Sequence, residues 1–263
     1  MKNNNIILLI LALSFITFCI VDVCSCYNAS IFNTPPDLQI FVIFHKNIYT
    51  DFYDLIPDKD LHKYFTFIAV NENIEKKYPT DAKFKIVKEW ELPMYNKELQ
   101  KRGYRECGVI DHIYVNDLHK PYDYIGFLQY DMKLNENIVD VINKNKNENV
   151  YFTVENHDFD FFMNGLTDKQ TMELVMDDYE KFFNKSFSRS GDYPLLNTFV
   201  ISVERFDKGM KWIHRIYMWI IDKLGSDNMY ACGYFERIMG LFIGEENMKY
   251  IKLNIQHDNN FRV

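Results

Sequence analysis

The chain has no Cys-x-x-Cys pair, so neither a zinc ribbon nor a thioredoxin-like redox motif is supported. Gly-x-Gly-x-x-Gly and Gly-x-x-x-x-Gly-Lys-Ser/Thr are both missing, which leaves a dinucleotide Rossmann fingerprint and a P-loop without support. The absence of Gly-x-Ser-x-Gly and of His-Glu-x-x-His weakens serine-hydrolase and zincin readings. No self-similar period of about twenty to fifty residues occurs, so the chain is not a repeat array. Basic surplus is lacking too. A formal net charge of −7 argues against a general nucleic-acid binder. It leaves room for a phosphate-bearing substrate, because a local metal ion can neutralise a diphosphate inside an acidic protein.

What is present is a globular composition, 48% hydrophobic and 25% charged over 263 residues. The 16% aromatic content supplies core-filling area and suits a sugar or base pocket equally well. Met1-Lys2 precedes an apolar run from Ile6 to Val21, broken only by Ser14 and Thr17 and closed by Asp22. As a helix this run spans roughly 24 Å, short of the ~30 Å hydrocarbon core. It predicts a signal peptide or short signal anchor over residues 1–26, with small residues Val23 and Ser25 flanking a cleavage site. Residues 27–37, which contain Pro35-Pro36, read as a linker or stem. Residues 38–263 are left as a single domain. The chain is thus expected in the secretory pathway, in the endoplasmic reticulum or Golgi lumen or secreted, with membrane attachment only through its N-terminal segment. Asn28-Ala29-Ser30 and Asn184-Lys185-Ser186 are N-glycosylation acceptor triplets. Cys19, Cys24 and Cys26 fall in or beside the targeting segment. Cys107 and Cys232 lie within the body, where one disulfide is conceivable.

Ile40 to Phe44 is a continuous apolar run of buried-strand length ending at His45-Lys46. Further strands are expected over Tyr64–Val70, Phe84–Val87, Tyr124–Leu128, Val150–Val154, Thr198–Val203 and Lys249–Ile255. Apolar residues at helical spacing predict helices over 96–116, 169–183, 206–224 and 230–243. Residues 143–149, rich in Asn and Lys, read as a solvated loop. Strands interleaved with helices indicate an α/β domain with a mixed sheet.

The segment Tyr122-Asp123-Tyr124-Ile125-Gly126-Phe127-Leu128-Gln129-Tyr130-Asp131-Met132 carries the chemistry. Its strand ends in a polar cluster holding one carboxylate, Asp131. Ligands of open α/β sheets bind outside the carboxyl ends of the strands. A carboxylate there can hold a hard divalent cation against a substrate's phosphates, or it can be an ordinary solvated turn acid. Asp158-Phe159-Asp160, after the strand ending at Glu155, is the competing acidic pair.

Several segments taken in order resemble a known family. They are Ile40-Phe41-Val42-Ile43-Phe44-His45-Lys46, Tyr104-Arg105-Glu106 with its helix, Tyr122 to Tyr130, Asn197-Thr198-Phe199-Val200-Ile201 with Phe206, and Arg237-Ile238-Met239-Gly240 with Glu245. Together they are similar to the glycosyltransferase-like domain of unknown function found in capsular-polysaccharide and cell-surface glycan proteins. That domain is related to nucleotide-diphospho-sugar transferases of the GT-A fold. The resemblance runs from about residue 38 to about residue 246. It departs at Gln129-Tyr130-Asp131-Met132, where many members carry a His-Tyr-Arg-Arg segment.

The resemblance implies a GT-A-like (Rossmann-like) mixed sheet flanked by helices. It implies sugar transfer from a nucleotide-diphospho-sugar donor to a glycan or glycoconjugate acceptor, with Mn²⁺ or Mg²⁺. Such a reaction must neutralise a departing diphosphate and deprotonate an acceptor hydroxyl. On this reading Asp131 and His257 are metal ligands. His45, Lys46, Tyr130, Asn197 and Arg237 bind the nucleotide sugar. Glu155 and Glu236 are candidate bases. Two rivals remain: a non-catalytic lumenal sugar- or nucleotide-binding protein on a degenerate transferase fold, and an unrelated metal-dependent phosphoesterase.

Overall fold

The computed structural model describes residues 37–100, 105–164, 168–195, 197–224 and 231–257. The apolar run 6–21, the expected cleavage site and the Asn28 acceptor lie outside the described residues. Among the described residues no helix is long and apolar enough to cross a membrane.

The first half runs β1 (Leu38–Phe44), α1 (Asp58–Tyr64), β2 (Phe65–Ala69), β3 (Ile86–Lys88), α2 (Arg105–Val115), β4 (Tyr124–Gln129), β5 (Met132–Leu134) and α3 (Ile138–Asn145). It continues with β6 (Val150–Thr153), β7 (Asn156–His157), α4 (Phe159–Met163), α5 (Lys169–Phe183), β8 (Tyr193–Pro194) and β9 (Phe199–Ser202). Helices α6 (Val203–Leu224) and α7 (Ala231–Glu245) precede β10 (Lys249–Lys252) and β11 (Ile255–His257).

Seven strands form one sheet in the order β10-β6-β9-β4-β1-β2-β3. β1 pairs in parallel with β2 and β4, β2 with β3, and β10 with β6. β9 alone runs against its neighbours β4 and β6. The carboxyl ends of the six parallel strands and the amino end of β9 therefore share one edge.

Both faces of the sheet are covered, which is why β1 reads as an unbroken apolar run from Ile40 to Phe44. Leu38, Ile40, Val42 and Phe44 point into one core with Leu61 and Tyr64 of α1 and Ile138, Val139 and Ile142 of α3. Phe41 and Ile43 point into the other, with α2, α5, α6 and α7. Gln39 is buried in β1 but satisfied: its Nε2 donates to the Tyr64 carbonyl at 3.0 Å and to Thr66 Oγ1 at 3.1 Å. Gly126 is required where β4 meets β9, because a Cβ there would stand 2.8 Å from Val200 Cγ2.

Three expectations are corrected. Of the helix expected over 96–116, Lys97–Gln100 is instead a 3₁₀ turn, and Arg105–Val115 is helix α2. The Asn96 side chain accepts from the Glu98 N–H at 3.1 Å, a local bond that competes with an α-helical start. The supposed loop 143–149 is helical up to Asn145. Asn137 caps α3 by accepting from Val139 and Asp140, and its apolar face is buried beneath a polar composition. The final strand 249–255 is two strands in different sheets. β10 extends the main sheet beside β6, and β11 leaves it to pair with β5.

Candidate active site

Tyr130 and Asp131 turn the chain out of β4, and β5 then departs from the main sheet. β11 runs antiparallel to β5, with His257 opposite Met132, Gln256 opposite Lys133 and Ile255 opposite Leu134. Met132, Leu134 and Ile255 are buried, which holds the two short strands together. This pairing carries His257, 126 residues further along the chain, back to the end of β4, where its Nε2 lies 3.1 Å from Asp131 Oδ2.

Asp131 is only 3% exposed, and its other carboxylate oxygen, Oδ1, has no hydrogen-bond partner. A buried carboxylate oxygen left unpaired costs about 1–3 kcal/mol or more, so it calls for an explanation such as a ligand ion. Two ligands about 2.1 Å from an octahedral ion stand roughly 3.0 Å apart when adjacent. Asp131 Oδ2 and His257 Nε2, 3.1 Å apart, stand at that spacing as well as at hydrogen-bond distance. One carboxylate and one imidazole also suit Mn²⁺ better than Mg²⁺. Among the described residues no group of three or more His, Cys, Asp or Glu side chains gathers to hold a metal ion. The pair by itself offers a cation two protein ligands and leaves its other coordination positions to groups from elsewhere.

An aromatic wall adjoins the pair. The Tyr130 backbone N–H donates to the Ile43 carbonyl at 3.0 Å, which ties the end of β4 to β1. The His45 ring packs edge-on to Tyr130 with centroids 4.6 Å apart, and Tyr49 stacks on Tyr130 at 6.2 Å. Lys46 follows at the exposed end of β1. Tyr53, at the end of a 3₁₀ turn, is buried. Burial, and next the Asp131 charge, push its hydroxyl well above the usual tyrosine range. Tyr49 and Tyr53 were not anticipated. The spacing Tyr49, Phe52, Tyr53, one helical turn just past β1, was the available signal.

Glu155 follows β6 on the same edge, two strand positions from β4, hence roughly 10 Å away laterally. Its Oε1 lies 3.4 Å from His157 Nε2, and the His157 ring stacks on Phe161 at 4.0 Å. The competing acid pair has a structural occupation: Asp158 is the N-cap of α4 and accepts from the Phe161 N–H at 2.8 Å.

Asn197, Glu236 and Arg237 are not brought to the Asp131–His257 pair. Asn197 is buried beneath the helical layer, at φ 47°, and its Nδ2 donates to Cys107 Sγ at 3.3 Å. Arg237 clamps three carbonyls: Nε donates to Phe162 at 2.8 Å, Nη1 to Gly233 at 3.1 Å and Nη2 to Asn164 at 3.1 Å. Burial lowers its guanidinium pKa, while the neighbouring Glu236 acts in the opposite sense. Glu245 accepts from Ser188 Oγ at 2.8 Å and Tyr193 Oη at 3.1 Å, which anchors the loop before β8.

No protein-family model matches the chain, and no curated protein matches it. Solved structures do. The apo WbbM bifunctional glycosyltransferase superposes with a TM-score of 0.55 at 14% identity, over 85% of this chain and 46% of that one. The fold is GT-A-like. This chain spans about half the length of WbbM. Weaker likenesses are the S. cerevisiae mannosyltransferase Ktr4p in complex with GDP (TM-score 0.40, 14% identity, 86% of this chain and 71% of that one) and apo mouse xyloside xylosyltransferase 1 (0.37, 10%, 83% and 85%).

Proposed function

We propose that this chain is a glycosyltransferase that moves a sugar from a nucleotide-diphospho-sugar to a glycan or glycoconjugate acceptor. The observation that carries the reading is the buried, half-satisfied Asp131 carboxylate beside His257, at the carboxyl edge of a GT-A-like sheet. Asp131 and His257 would hold Mn²⁺ or Mg²⁺. Bound there, the cation supplies positive charge to the departing diphosphate.

The protein's own groups do the rest. Tyr49 and His45, backed by the buried Tyr130, offer aromatic surface for a base or sugar ring, and Lys46 offers a cation at the mouth of the same edge. Glu155 accepts the proton of the acceptor hydroxyl. It is favoured over Glu236 because it follows β6 on the ligand-binding edge, whereas Glu236 sits in the helical layer. Arg237 acts as a positioning residue through the loop carbonyls it clamps. On the strength of residues 1–26 the reaction belongs in the lumen of the secretory pathway.

A panel of nucleotide-diphospho-sugars incubated with the purified chain tests the proposal. Release of nucleoside diphosphate from one donor is expected with Mn²⁺ and is expected to stop in chelator. One observation favours a second reading, a degenerate sugar-nucleotide-binding protein: only two ligand side chains meet among the described residues. Tight donor binding with no turnover in the presence of acceptor extracts would select it.

A further inference from the structure

Cys107 and Cys232 lie 125 residues apart in sequence, yet their Sγ atoms are 3.0 Å apart. Cys107 is in the first turn of α2 and Cys232 in the first turn of α7, two helices packed on one another in the same core. The separation exceeds a disulfide bond of ~2.05 Å by only about 1 Å. A gap of that size is on the order of what rotation about the two Cα–Cβ bonds spans. We propose that Cys107 and Cys232 are a disulfide site that staples α2 to α7 behind the candidate active edge.

As thiols the two groups make only weak bonds. Cys107 Sγ donates to the Cys232 carbonyl at 3.3 Å, and Cys232 Sγ donates to Glu106 Oε2 at 3.3 Å. Both are poor S–H donations, so losing them on oxidation costs little. The bond that Cys107 accepts from Asn197 Nδ2 survives, because a disulfide sulfur still accepts. Glu106 is half-exposed and water can replace its lost donor. No rival use for the pair is at hand, since among the described residues no third ligand gathers with them for a metal.

The oxidant is a low-molecular-weight or protein disulfide. Cys232, the more exposed of the two, attacks it as a thiolate. One sulfur–sulfur bond breaks, a mixed disulfide forms, and one thiol leaves with the Cys232 proton. Cys107 then attacks the Cys232 sulfur. The second thiol leaves with the Cys107 proton, and two protein thiols have become one disulfide. The hydrogen bond with Cys107, burial and the nearby Glu106 and Glu236 charges all raise the Cys232 thiol pKa. The exchange is therefore slow in the folded chain in either direction, which suits a bond made during folding and then retained.

The loop so closed is long, so its constraint on the unfolded chain is large. The purified full chain is partly unfolded and refolded in excess glutathione disulfide, quenched in acid, alkylated in denaturant, digested and mass-mapped. The expected result is a linked peptide pair containing Cys107 and Cys232, two hydrogens lighter than the sum of its parts. Melting of this oxidised protein should fall by on the order of 10 °C after full reduction. The Cys107→Ser/Cys232→Ser double variant should melt with the reduced wild type and ignore reductant. Full alkylation of both residues, capture only as glutathione adducts, or pairing with Cys19, Cys24 or Cys26 would overturn the assignment. A linked pair with unchanged melting would overturn the staple. If the double variant fails to fold, the wild-type peptide map decides alone.

Discussion

Asp131→Asn separates the fold from the site. The substitution keeps the shape of the side chain and leaves an oxygen for His257, 3.1 Å away. Two effects on stability oppose each other. Removing the charge relieves only part of the penalty of the unpaired Oδ1, about 1 kcal/mol, because the amide nitrogen that takes its place is left unpaired as well. It also turns a charge-assisted bond to His257 into a neutral one, a loss of about 1 kcal/mol. The net change stays within about 1 kcal/mol, or about 2–4 °C in melting temperature for a chain of this size. The site should respond far more. Unit charges about 4 Å apart interact by roughly 4 kcal/mol at an effective dielectric constant near 20. If the half-open cleft keeps half of that, about 2 kcal/mol, the donor Kd rises ~30-fold. The assay is calorimetric titration of the nucleotide sugar into both proteins, with Mn²⁺ and with chelator. The ~30-fold gap is expected with Mn²⁺ and should vanish in chelator. Equal affinities with Mn²⁺ and unchanged melting would refute the reasoning and move attention to Asp158 and Asp160.

Three further outcomes are expected. His257→Ala should raise the Mn²⁺ concentration needed for activity, with less effect at saturating metal; superimposable metal titrations would remove His257 from the site. The His214–Asp111 bond between α6 and α2 (2.8 Å) lifts the histidine pKa above its ordinary value. A raised folded-state pKa gives stability that is complete below the unfolded value of ~6.5 and is lost as pH climbs through the folded one. His214→Gln should therefore lower the melting temperature more at about pH 5.5 than at about pH 8, and the opposite ordering would exclude the pair. Gly240→Ala would set a Cβ 2.4 Å from the Pro194 carbonyl and 2.8 Å from Phe162, parting α7 from β8 at a cost of about 1–3 kcal/mol. Gly233→Ala, whose Cβ meets only the Arg237 Nη1 at 3.4 Å, should leave stability unchanged or raise it by up to ~1 kcal/mol, and thermal melts of the two variants check the contrast.

How much was legible in the sequence followed from how local each signal was. β1 and β4 could be read because burial on both faces makes their apolar runs continuous. The helices α5 and α6 could be read from their period. α3 was hidden because Asn and Lys on its outer face masked Ile138, Val139 and Ile142, and its Asn137 cap reads equally as a turn residue. β9 was read as a strand, but no residue in Phe199–Ser202 announces that it runs against its neighbours. The strand-end position of Asp131 was legible from the apolar run before it. The route of His257 was not: the run 249–255 reads as one strand, while β11 depends on a partner, β5, that is far away in sequence and only three residues long. Asn197 and Arg237 were read as nucleotide-sugar ligands because nothing in the chain announces Cys107, or the carbonyls in and after α4, as their partners.

The central claim is that Asp131 and His257 jointly hold the cation that receives a nucleoside diphosphate. Crystals soaked with Mn²⁺ and nucleoside diphosphate, measured for anomalous scattering, test it directly. The account predicts one strong peak within bonding distance of both the Asp131 carboxylate and the His257 imidazole, with diphosphate oxygens completing its shell. A peak at Asp158–Asp160 or at Glu155–His157, with none at Asp131, would contradict it.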